Sequence, residues 1–169
     1  DLMDVLMDPL FAKAGVNPGP ECVRAHTSTP EGASHNPLRP KTEVRILLAE
    51  DDAINRKLAL LMLGKEGYTA ASVENGKDAV QALREDVFDL VLMDVQMPVM
   101  DGLEATRKIR EMEEKTGRHV PIVALTANAM KGDRERYLEA GMDDYMTKPF
   151  KRELLRQVIA RNTAEKQEG

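Results

Sequence analysis

The chain has 169 residues, 42% hydrophobic and 31% charged, the profile of a globular protein with room for one modest core. Its net charge of −5 argues against a nucleic-acid-binding surface, and no apolar stretch approaches the roughly 20 residues of a membrane helix. Cys22 is the only cysteine, which excludes an intramolecular disulfide, leaves too few ligands for zinc beside His26, His35 and His119, and fits a reducing, cytoplasmic setting.

The N-terminus begins Asp1-Leu2-Met3-Asp4, acidic where a signal peptide would be basic. Because the first residue is not Met, the chain is expected to be a piece of something longer. Residues 1–14 read as a short helical segment, with Leu2, Leu6 and Leu10 four apart and Asp8-Pro9 as an N-cap and N1 pair. That is too little to fold alone, so it is the tail of an upstream domain or a docking element. Residues 15–43 form a linker, with Pro18, Pro20, Pro30, Pro37 and Pro40 among Gly, Ser, Thr and Asn.

From Val44 to Ala164, strand and helix patterns alternate, and 165–169 are expected to be a disordered tail. Val44–Ala49 is the first strand, Ala53–Glu66 a helix closed by Gly67, and Tyr68–Val73 the second strand. Asn75–Asp86 is helical with Ala79, Val80 and Leu83 on one side. Leu90–Met93 is an unbroken apolar run ending in Asp94, the pattern of a strand buried on both faces of a parallel sheet. A loop through Pro98 and Asp101-Gly102 leads to a helix over Leu103–Lys115, closed by Gly117. Val120–Leu125 is the fourth strand, and Ala129–Ala140 a solvent-facing helix. Asp144–Thr147 is a short fifth strand, stopped by Lys148-Pro149, and Lys151–Ala164 is the last helix. Five such units imply a flavodoxin-like, doubly wound five-stranded parallel sheet of order 2-1-3-4-5, flanked by five helices.

In that order the first and third strands are neighbours, so Glu50, Asp51 and Asp94 meet in one crevice at the carboxyl ends of the strands. Three close carboxylates repel and call for a cation; hard oxygen ligands with room for water suit Mg²⁺ or Mn²⁺. Thr126 and Lys148, at the ends of the fourth and fifth strands, offer a hydroxyl and a compact positive charge to phosphoryl oxygens. The chemistry that fits is phosphoryl transfer onto a carboxylate. Each group has a plainer reading: Asp52 or a neighbour as a helix cap, Asp94 as a turn cap, Thr126 as a strand-end hydroxyl, Lys148 as a surface lysine. Capping does not account for five such groups at the ends of four strands.

Four stretches carry a resemblance. They are Ile46-Leu47-Leu48-Ala49-Glu50-Asp51-Asp52-Ala53-Ile54-Asn55, Leu92-Met93-Asp94-Val95-Gln96-Met97-Pro98-Val99-Met100-Asp101-Gly102, Pro121-Ile122-Val123-Ala124-Leu125-Thr126-Ala127-Asn128-Ala129 and Asp144-Tyr145-Met146-Thr147-Lys148-Pro149-Phe150. With them, residues 44–164 resemble the receiver domain of two-component response regulators, of the type carried by hybrid histidine kinases. The resemblance implies Asp94 as phosphoacceptor, metal binding by Asp51, Asp94 and the Gln96 carbonyl, and a water-mediated metal contact from Glu50, where many receivers have Asp. It implies Lys148 as phosphoryl partner, Thr126 and Tyr145 as a switch pair, and a cis Lys148–Pro149 bond. The chain itself is then not an enzyme beyond its own phosphorylation and dephosphorylation, while a parent protein is expected to be a histidine kinase. A stand-alone single-domain regulator is the alternative architecture. A flavin module lacks its Ser/Thr/Gly-rich phosphate loop here, and an aspartyl-phosphate hydrolase would place its nucleophile after the first strand.

The helix Ala53–Glu66 carries more apolar residues than one core stripe needs: Ile54, Leu58, Leu60, Leu61, Met62 and Leu63. A deeply buried helix explains that. The other explanation is a partner surface of Ile54, Asn55 and Leu61 with Pro149 and Phe150, onto which the resemblance would dock a histidine phosphotransfer domain or the histidine-bearing helices of a kinase. Stimulus, output, the donor's identity and oligomeric state leave no mark in the sequence.

Overall fold

The computed structural model describes residues 43–164, residue 129 excepted. The expected helical segment at 1–14, all but the end of the linker, the tail at 165–169 and Ala129 lie outside the described residues. The five strands are β1 (Arg45–Ala49), β2 (Thr69–Val73), β3 (Leu90–Asp94), β4 (Ile122–Thr126) and β5 (Asp144–Thr147). All pair in parallel in the order β2-β1-β3-β4-β5, as the alternating pattern predicts. Every residue of β3 and β4 is buried, which is why those segments read as unbroken apolar runs. The edge strand β2 is Thr-Ala-Ala-Ser-Val and mostly half-buried or exposed, so its sequence is small and polar.

Side chains alternate across the sheet and feed two cores. Ile46, Leu48, Leu90, Leu92, Val123 and Leu125 face α1 (Ala53–Lys65) and α5 (Arg152–Ala164), meeting Leu63 and Leu155 there. Leu47, Ala49, Val91, Met93, Ile122 and Ala124 face α2 (Gly76–Glu85), α3 (Gly102–Thr116) and α4 (Asp133–Glu139), meeting Ala79, Ile109 and Tyr137.

The helices start where short acceptor side chains precede them. Asp52 takes the N–H groups of Ile54 and Asn55, each at 2.9 Å, and Asp101 takes that of Glu104 at 2.8 Å. Asn75 does the same for Asp78 at 2.8 Å. The capping role expected of Asp52 is therefore real, and it leaves Glu50 and Asp51 free for other work.

One element departs from the sequence reading. The helix expected at Ala129–Ala140 runs only from Asp133 to Glu139, because Gly132 takes φ +103°, outside the helical region. Nor is it solvent-facing along its length: Tyr137 and Ala140 are buried against the sheet.

Candidate functional site

β1 and β3 run side by side with Ala49 opposite Met93, so the next residue of each chain, Glu50 and Asp94, emerges at the same end. β4 pairs Leu125 with Asp94, placing Thr126 one residue beyond, and the Lys148 N–H donates to the Thr126 carbonyl at 2.7 Å. The topology thus delivers Glu50, Asp94, Thr126 and Lys148 to one crevice, with Asp51 at its lip. Glu50 is fully buried and Asp94 nearly so, whereas Asp51 is exposed. Carboxylate oxygens of Glu50, Asp51 and Asp94 lie within 4.8 Å of one another.

Lys148 is the only cation recorded against this cluster among the described residues. Its Nζ donates to Asp94 Oδ2 at 2.9 Å and stands 2.6 Å from Glu50 Oε2. The second contact is a short ion pair, and it is what faces the buried Glu50 Oε2. Burial raises the Glu50 pKa above the ordinary carboxylate value; Lys148 opposes the rise and the Asp94 charge adds to it, and burial prevails. For Lys148 burial is the largest single influence and acts downward. The hydrogen bonds and charges of Glu50 and Asp94 together outweigh it and leave the pKa raised, so the ammonium stays charged. One positive charge facing three clustered acids, one of them fully buried, fits a hard divalent cation on Asp51 and Asp94 with Glu50 behind.

The loop after β3 is shaped to hold Asp94. The Gln96 N–H donates to Asp94 Oδ1 at 3.1 Å. The Met100 N–H reaches back to the Pro98 carbonyl at 2.7 Å around Val99, whose φ of +69° marks a tight γ-turn with a left-handed central residue. The turn brings Gly102 against the strand end, its N–H donating to the Val95 carbonyl at 3.0 Å. On the other side of the crevice, the Lys148–Pro149 bond is cis, as the resemblance implies.

Two residues of this neighbourhood escape a sequence reading. Arg56 donates to the carbonyls of Glu50 at 2.9 Å and Asp51 at 3.3 Å and pairs with Glu74 at 2.8 Å, clamping the acidic loop to the end of β2. Its signal was a cation in the first turns of a helix, where the macrodipole favours acids. Tyr137 donates its hydroxyl to Thr126 Oγ1 at 3.1 Å. Its spacing from Ala140 marks a buried face, but no spacing announces a hydroxyl pair eleven residues apart.

Of the remaining expected residues, Tyr145 is half-buried and packs against the core on the α2–α3–α4 side. Gln96 is exposed, Asn55 half-buried and Pro149 exposed. Ile54 and Leu61 are 79% and 54% exposed, with Leu58 between them at 41%. Phe150 is a correction: only 7% of it is accessible, because its ring packs with Leu48, Leu155 and Val158 beneath the sheet, so it is core and not partner surface.

Comparison with known proteins agrees with this geometry. The sequence model of the response regulator receiver domain matches residues 46–160. Hybrid signal transduction histidine kinase I of Dictyostelium discoideum is 47% identical over 120 residues, covering 68% of this chain and 7% of that protein. The sensor protein GacS of Pseudomonas syringae pv. syringae is 46% identical over 120 residues, covering 70% of this chain and 13% of its own length. The chain therefore spans a small fraction of the curated relatives it matches. Among solved structures, the receiver domain of sensor histidine kinase PA1611 from Pseudomonas aeruginosa, with magnesium in its active-site cleft, aligns with a TM-score of 0.66 and 46% identity, over 72% of this chain and 98% of that one. The receiver domain of the response regulator Ssk1 of Saccharomyces cerevisiae, crystallised with the histidine phosphotransfer protein Ypd1, aligns with a TM-score of 0.70 and 32% identity over 76% of this chain and 94% of that one.

Proposed function

From the premise that this chain belongs to the response regulator receiver family, we propose that Asp94 accepts a phosphoryl group from a phosphohistidine in a phosphorelay. In that step the phosphorus–nitrogen bond to the imidazole breaks and a bond from phosphorus to an Asp94 carboxylate oxygen forms, giving an acyl phosphate. The observation that carries the reading is Asp94 itself: a carboxylate at the end of the central buried strand, held at one oxygen by the Gln96 N–H and at the other by Lys148. Lys148 neutralises charge on the transferred group, and Thr126 supplies a hydroxyl to one of its oxygens. Mg²⁺ or Mn²⁺ bound by Asp51, Asp94 and the Gln96 carbonyl, with Glu50 through water, would supply further charge neutralisation. Magnesium in the cleft of the related PA1611 receiver supports this assignment.

The similarity to hybrid histidine kinases supports placing the chain as a receiver of such a kinase, and a cytoplasmic setting is proposed with it. No helix among the described residues is long and apolar enough to cross a membrane. The histidine donor would be a kinase or a phosphotransfer domain, as the Ypd1–Ssk1 complex supports. Thr126 and Tyr145 would pass the change on Asp94 to the surface of α4 and β5.

Incubation with acetyl phosphate and Mg²⁺ should add one phosphoryl group, labile to hydroxylamine, and Asp94→Asn should abolish it. Undiminished labelling of that variant would overturn the assignment.

A further inference from the structure

Thr126 has no hydrogen-bonding capacity to spare. Its Oγ1 donates its only proton to the Asn128 carbonyl at 2.7 Å and accepts from the Asn128 N–H at 3.2 Å and from the Tyr137 hydroxyl at 3.1 Å. One donor and two acceptor sites are all a hydroxyl offers, and all are used. To bond a phosphoryl oxygen on Asp94 the proton must leave the Asn128 carbonyl, and any shift of Oγ1 toward that oxygen draws it away from the Tyr137 hydroxyl. The Tyr137 ring is 5% exposed and its hydroxyl lies in a buried bond, so water is not at hand to replace the lost acceptor.

We propose that Tyr137 is a positioning residue of the switch: its hydroxyl holds Thr126 in the resting arrangement, and its release couples the state of Asp94 directly to α4. This rests on the reading of Thr126 as a phosphoryl contact and adds a second residue through which that contact is felt. The construction of α4 makes it a suitable receiver of the signal. The helix has only seven residues, begins at a left-handed Gly132 and has no side-chain cap at its N-terminus. Its other end is tied, the Tyr137 carbonyl accepting from the Met142 N–H at 3.0 Å. A change at the Tyr137 hydroxyl is therefore expressed at the Asp133–Arg136 turn, the weaker end.

The test uses beryllofluoride with Mg²⁺ as the phosphoryl probe, titrated by calorimetry against the whole chain. Tyr137→Phe keeps the ring and its packing and removes only the bond that favours the resting arrangement. Affinity for the probe should rise roughly fivefold, the equivalent of about 1 kcal/mol. Thr126→Ala should weaken binding, and in that background Tyr137→Phe should change nothing, since the hydroxyl then has no partner to hold. Unchanged or weaker binding by Tyr137→Phe alone would overturn the proposal, and so would an equal gain in the Thr126→Ala background. Undiminished binding by Thr126→Ala would instead refute the phosphoryl contact, and the role of Tyr137 would fall with it. Thermal unfolding separates a structural effect, because a lower melting temperature with no change in affinity also counts against the proposal. Hydrogen exchange at 133–136 should accelerate in Tyr137→Phe before any probe is added.

Discussion

The same substitution should have opposite signs at two glycines, and the difference lies in what a methyl group would touch. A Cβ on Gly102 would fall 2.2 Å from the Asp94 carbonyl oxygen and 3.0 Å from Met93 Cγ. Neither can yield easily, since Asp94 and Met93 are buried residues of the central strand. Gly102→Ala must therefore push the strand end that carries Asp94, and a loss of about 2–3 kcal/mol with impaired labelling is expected. A Cβ on Gly64, in α1, would meet nothing within 4 Å. There Ala restricts the unfolded chain and suits the helix better, and a gain of about 0.5–1 kcal/mol is expected. Chemical denaturation of the two variants checks both signs. If Gly102→Ala is neutral in stability and labels normally, the loop is not braced against the strand as described.

At the scale of elements, α1 divides into a face that builds the core and an apolar face left to solvent. Ala59 and Leu63 are buried, Leu60 and Met62 pack against them, and Ile54, Leu58 and Leu61 form an outward stripe at helical spacing beside the crevice. Transient interfaces draw most of their energy from a few apolar anchors. Replacing Ile54 or Leu61 by Glu should therefore slow transfer from a phosphohistidine protein by about tenfold or more while leaving acetyl phosphate labelling intact. Leu63→Ala, by contrast, should cost about 2–5 kcal/mol and impair both. Loss of both activities in Ile54→Glu would mean that its side chain supports the fold after all.

The same helix shows where sequence reasoning stops. Its apolar excess was legible, because six large hydrophobes exceed one stripe, but which of them face outward depends on how the helix is rolled onto β1 and β3. Phe150 was misplaced for the same reason: an aromatic after a proline reads equally as anchor or core until α5 is set beside it. The strands were legible because burial on both faces leaves no room for polar residues in β3 and β4. The acids and Lys148 were legible because parallel strands put all their carboxyl ends on one side. Tyr137 and Arg56 were not, since each acts by a hydrogen bond to a different element, and such a bond leaves no periodicity in the chain.

For the whole molecule, the parallel sheet has an electrostatic consequence. Its carboxyl ends gather Glu50, Asp51 and Asp94 around the single Lys148, so a protein already at −5 concentrates excess negative charge in a partly buried place. Holding Glu50 ionised in the free protein costs stability, because it is shielded from water and faces the Asp94 carboxylate. A divalent cation relieves both effects and binds the folded chain alone, so it stabilises by mass action. At ten times its dissociation constant the gain is about 1.4 kcal/mol, which for a domain of this size raises the melting temperature by roughly 5 °C. The site offers few protein ligands and leaves the rest to water, so the response should need millimolar Mg²⁺. Asp51→Ala removes an exposed carboxylate from a crowded cluster. It should leave the metal-free protein at least as stable as the parent while flattening the response to Mg²⁺. Thermal scans across a Mg²⁺ series at constant ionic strength read both quantities at once, separating binding from general screening. A flat series in the parent chain, with Asp51→Ala indistinguishable from it, would mean that Lys148 alone balances the acids and that no cation is needed to hold the crevice together.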